Sequence, residues 1–95
     1  MTLKNLHTEN NPVQTKLLFE PSEAKVISMQ IAKGETLKEH VSKIPVLLVC
    51  VSGVAVFTNE KGIVINLNSG VYVMIEENVK HEVNAFEESN FLLIK

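Results

Sequence analysis

From Thr15 onward, short β-branched and aliphatic runs alternate with turn-forming residues about every 8–12 positions, the rhythm of a chain built from strands. The stretch KVISMQIAKG is the clearest case. Ile27, Met29 and Ile31 fall on one face and Ser28 and Gln30 on the other, which predicts a half-buried strand ending toward Gly34. The runs VLLVCV, VAVF, IVINL, VYVMI, HEVNAF and FLLIK follow, separated by Gly53, NEKG, NSG, EEN and EESN, each containing residues that tolerate tight turns. Nowhere does an apolar repeat of helical period persist for the length of a helix. Several runs are apolar on both faces, which predicts one face for a barrel interior and the other for a second sheet or a second subunit. Tyr72 and Met74, alternating with Val71, Val73 and Ile75, are expected to pack in that wall. Residues 1–14 are polar, Asn-rich and broken by Pro12, so they read as a loosely docked arm in which Leu3 and Leu6 offer anchors and His7 is solvated. Residues 15–95 then form a single domain.

Composition changes this picture little but excludes several functions. With 45% hydrophobic and 21% charged residues among 95, the chain has a globular balance. A net charge of −2 supplies no footprint for a polyanion, so nucleic acid is not an expected partner. Cys50 is the only cysteine, which rules out a disulfide within one chain, and its apolar surroundings from Val46 to Val51 suit a small packing residue. A reduced, cytoplasmic protein is expected. The opening MTLKNLHTENNPVQTK has no apolar export core, and no stretch approaches the roughly 18 apolar residues of a membrane-crossing helix.

The candidate chemistry lies around two histidines. His40 precedes Ser42 by two residues, which on a continuous strand puts both on one face, and His81 begins a later strand-like run. Glu82 should point away from His81 by the same rule. Lys38 and Lys43 flank His40 and read as surface lysines. No nucleophile elbow, phosphate loop, CxxC pair or HExxH helix is present.

The spacing around these histidines resembles the two motifs of the cupin superfamily. In the first, a glycine, His-x-His and a downstream glutamate precede a second glycine; here Gly34, five residues and His40 are followed by Gly53. In the second, a glycine and five residues lead to Pro-x-Gly, two residues and a histidine; here Gly70 leads through EENVKH to His81. Asn78 stands at the inner glycine, and asparagine is among the residues that best tolerate a left-handed backbone. The resemblance spans Gly34 to about Ala85. It implies an all-β fold, the double-stranded β-helix or jelly-roll barrel of two antiparallel sheets, and a homodimer.

The departures from the motif bear on function. Ser42 stands at the second histidine, Val46 at the glutamate, Glu76 at the proline and Ala85 at a closing asparagine. Of the four metal ligands that the family pattern implies, His40 and His81 remain. Two imidazoles suit a weakly held divalent Zn, Ni or Cu, whereas Fe or Mn chemistry calls for a further carboxylate. Glu76 and Glu77 sit in a turn and are not expected to supply it. Three functions follow: a small-molecule binder with His40, Ser42 and His81 as the polar groups of a barrel-mouth pocket, a metal-dependent enzyme of the dioxygenase or isomerase type using His40 and His81, or an interaction module with a filled barrel.

Overall fold

The computed structural model describes all 95 residues, with nine strands and one short helix. Helix α1 (Leu3–Leu6) precedes β1 (Val13–Phe19), β2 (Val26–Ile31), β3 (Thr36–His40), β4 (Val46–Ser52) and β5 (Ala55–Asn59). Strands β6 (Val64–Leu67), β7 (Tyr72–Ile75), β8 (His81–Ala85) and β9 (Ser89–Ile94) complete it. Two antiparallel sheets face each other, a five-stranded one in the order β1-β2-β9-β4-β7 and a four-stranded one in the order β3-β8-β5-β6. The chain repeatedly crosses between them, so the result is a jelly-roll barrel: the turn spacing predicted its strands, and the resemblance to the cupin motifs implied the jelly roll.

Alternation decides the interior. Met29, Ile31, Leu48, Cys50 and Phe91 point in from the larger sheet to meet Ala55, Phe57, Leu67, Val83 and Ala85 from the smaller one. Cys50 is fully buried there, and burial pushes its thiol pKa up, as suits a packing residue. Gly53 makes the β4–β5 crossing possible: it holds φ +108°, and a Cβ there would lie 2.6 Å from the Glu88 carbonyl oxygen. Asn78 adopts φ 60° between β7 and β8, the left-handed position expected from its place in the motif.

Three expectations are corrected on the outer face of the five-stranded sheet. Ser28 and Gln30 are buried rather than exposed, because the polar face of β2 is covered and paired: Gln30 Nε2 donates to Asn90 Oδ1 at 3.0 Å, and Asn90 Nδ2 donates to Ser52 Oγ at 3.2 Å. His7 is buried rather than solvated, with Nε2 2.8 Å from Ser28 Oγ. The segment from α1 through His7 is thereby docked on the sheet, and Lys4 Nζ lies 3.7 Å from Glu88 Oε2 at its edge. Tyr72 and Met74 do not pack inside the wall. They are 67% and 60% exposed, because the inward places on β7 go to Val73 and Ile75, paired with Leu48 and Val46. Strand β1 also starts at Val13, pairing Val13 and Gln14 with Ile31 and Gln30.

Candidate functional site

The open end of the barrel is lined by β3, β8, β4 and the end of β9, and a cavity of about 150 Å³ lies there between the sheets. Its position depends on one irregularity. Leu37 pairs with Val83 and His40 with His81, so three steps along β3 match two along β8. Lys38 and Glu39 together oppose Glu82, a β-bulge that adds one residue to β3. Strict alternation from Leu37 would turn Glu39 inward and His40 outward. The bulge reverses this, and both Leu37 and His40 line the cavity.

The two histidines meet there with ring centroids 4.3 Å apart and ring planes at 58°. His81 is 4% exposed and stacks on Phe57 at 5.8 Å, whereas His40 stands exposed at the mouth. Each ring is held through Nδ1 by a backbone carbonyl two residues earlier, His40 by Lys38 at 2.9 Å and His81 by Val79 at 3.2 Å. A carbonyl oxygen only accepts, so in its neutral form each ring carries its proton on Nδ1 and keeps Nε2 as a lone-pair acceptor. Burial lowers the His81 pKa; the Val79 carbonyl opposes this, and the proximity of His40 adds to it. His81 is therefore neutral at pH 7. Neither Nε2 has a hydrogen-bond partner within the chain.

Ser42 is placed differently from the sequence expectation. Strand β3 ends at His40, so Ser42 belongs to the following loop and not to a continued strand face. It still lines the cavity, but its hydroxyl donates to the Ile44 carbonyl at 2.7 Å and is occupied in shaping that loop. Its own carbonyl accepts from Asn78 N–H at 2.8 Å, tying the loop to the β7–β8 turn.

The residues present do not complete a metal coordination sphere. No group of three or more His, Cys, Asp or Glu side chains comes together anywhere in the chain. Val46 is a buried wall residue at the carboxylate position, and Ala85 is equally buried. Glu76 is drawn outward by Lys61 Nζ at 2.6 Å, Glu77 is exposed in the same turn, and Glu82 lies on the outer face, where its Oε1 accepts from Asn84 Nδ2. Two imidazoles without a carboxylate leave the charge of a dication uncompensated.

Sequence reasoning missed Lys95. The backbone of Lys95 pairs with Lys25, extending the β2–β9 ladder by one position, so Lys95 continues the inward series Phe91 and Leu93. It lines the cavity mouth and takes part in no ion pair. The alternation in FLLIK carried that signal once Phe91 is taken as an inward residue.

No protein-family model matches the chain, and no curated protein matches it in sequence. Solved structures match it in shape. A cupin superfamily protein from Desulfitobacterium hafniense DCB-2 superposes with a TM-score of 0.83 over 98% of this chain and 84% of its own, at 19% identity. The conserved SPY1581 protein of unknown function from Streptococcus pyogenes gives 0.81 over 99% and 82%, at 18% identity. KdgF from Halomonas sp. gives 0.80 over 95% and 87%, at 17% identity. In fold this chain is similar to these structures, a cupin superfamily protein among them, as the resemblance of its glycine and histidine spacing to the cupin motifs implied. No helix is long and apolar enough to cross a membrane.

Proposed function

We propose that the chain binds a small molecule at the barrel mouth, in the cavity bordered by His40, Ser42 and His81. The observation that carries this reading is the pair of unpartnered imidazole Nε2 atoms on a largely apolar cavity of about 150 Å³. Few polar groups on apolar walls are what a small-ligand site offers, and a cavity of this size accommodates a molecule of roughly benzene dimensions. The test is a fragment screen by NMR on tag-free protein, read at the side chains of Leu37, His81 and Val83. Shifts confined to the cavity support the reading; a library that perturbs only outer surfaces overturns it.

The close approach of His40 and His81 favours one second reading, a weak two-histidine site for Zn, Ni or Cu. Metal analysis of the same tag-free protein decides between them. Stoichiometric metal that disappears in the His40→Ala, His81→Ala double variant supports the metal site, and trace metal unaffected by those changes removes it.

We further propose a homodimer formed through the outer face of the five-stranded sheet. Tyr72 and Met74 on β7, Leu47, Val49 and Val51 on β4, and Leu92 and Ile94 on β9 occupy adjacent outward positions. Such a continuous apolar patch on three neighbouring strands suits an isologous contact with a second copy.

A further inference from the structure

The polar groups around the cavity differ in what they can recognise, and the difference defines a ligand class. Lys95 lines the mouth with a side chain that takes part in no ion pair, and no aspartate or glutamate side chain lines the cavity. The two Nε2 atoms offer lone pairs, because each Nδ1 is committed as a donor to a carbonyl. A simple carboxylate would satisfy the lysine but meet the imidazole lone pairs with its own. An amine would satisfy the imidazoles but be opposed by Lys95. A polyol would leave hydroxyls unpaired against Met29, Leu48, Val83 and Leu93. A molecule that carries one negative charge, one O–H donor and an aliphatic body fits all three regions.

We propose that the cavity takes a small hydroxy acid. Its carboxylate lies against Lys95, its hydroxyl donates to an imidazole Nε2 of the His40–His81 pair, and its aliphatic body fills the space between the sheets. The cavity volume of about 150 Å³ limits that body to a short branched chain. This inference rests on the reading of the cavity as a binding site, and it assigns Lys95 as the residue that selects for charge.

The test uses three matched probes with tag-free protein in metal-stripped buffer: 2-hydroxy-3-methylbutanoate, 3-methylbutanoate and 2-hydroxy-3-methylbutanamide. Dissociation constants are read from methyl NMR shifts of Val83 and Leu93. The hydroxy acid is expected to bind most tightly, with loss of either the hydroxyl or the charge weakening binding by about five- to tenfold, as for one hydrogen bond in a partly screened site. Lys95→Gln should weaken the hydroxy acid by about fivefold and leave the amide unchanged. If the amide binds as well as the acid, or if Lys95→Gln affects both alike, the charge assignment falls while the cavity remains a binding site. Equal binding of the acid with and without its hydroxyl overturns the hydroxyl contact. If none of the three moves these methyls, the binding-site reading falls and takes this inference with it.

Discussion

His40 and His81 face each other with ring centroids 4.3 Å apart because β3 carries one residue more than the stretch of β8 it pairs with. The extra residue keeps Glu39 outside, so the carboxylate adjacent to His40 in sequence is withheld from the cavity. Glu39→Gln is accordingly expected to leave cavity binding unchanged and to alter stability by less than about 0.5 kcal/mol, as for an unpaired surface site. NMR titration and urea unfolding check this. A Glu39→Gln variant that loses ligand or metal binding would mean that the carboxylate reaches inward.

Gly53 and Gly34 both hold positive φ, but only Gly53 is hemmed in by neighbouring backbone. Gly53→Ala should cost about 2–5 kcal/mol, combining left-handed strain with forced displacement of the Glu88–Ser89 segment. Gly34→Ala, with nothing within 4 Å of its new Cβ, should cost only the strain of about 1–2 kcal/mol. Chemical denaturation of the two variants separates backbone conformation from close approach, and equal losses would remove the distinction.

His7 is buried against Ser28 with its Nδ1 unpartnered, and its pKa is lowered first by burial and then by the nearby charge of Lys16. The unfolded chain therefore takes up a proton near pH 6.5 that the folded chain resists. Stability is complete above that pH and declines as pH falls through 6.5 toward the lowered native value, with a slope of at most about 1.4 kcal/mol per pH unit for one group. Unfolding measured between pH 5 and 8 should show this limb, made shallower in His7→Leu; part remains because burial also lowers the His81 pKa. An unchanged slope in the variant would show that the arm is not docked through a neutral His7.

Tyr72 and Met74 point away from the core, so charge can be introduced there without disturbing packing. Tyr72→Glu with Met74→Glu is expected to convert the proposed dimer to a folded monomer, seen as a halved mass by sedimentation equilibrium with unchanged circular dichroism. A monomeric parent protein, or a dimer indifferent to both changes, rules out this face as the interface.

Much of the barrel was legible in the chain. The turn residues at regular intervals and the period-two alternation of Ile27, Met29 and Ile31 specify strands and their approximate limits, and the resemblance of the Gly34–His40 and Gly70–His81 intervals to the cupin motifs implied that the two histidines share a site. These features are local, or depend on spacings that a β topology translates directly into register. The outward fate of Tyr72 and Met74 was not legible, because a strand apolar on both faces does not say which face is inside until its neighbours Val46 and Leu48 claim the interior.

The site itself was divided in the same way. Through its resemblance to the cupin motifs the sequence determined that the two histidines would share a site short of further ligands, since Val46 and Ala85 have no donor side chains. Only the tertiary structure decided that Ser42 leaves the strand, that the bulge at Lys38 and Glu39 aims His40 inward, that Lys95 reaches the mouth and that His7 is buried beneath its own arm. A bulge is a mismatch in length between two paired strands, and burial of an arm requires a distant surface to receive it. Neither is a property of one segment, so neither exists until the sheets have formed.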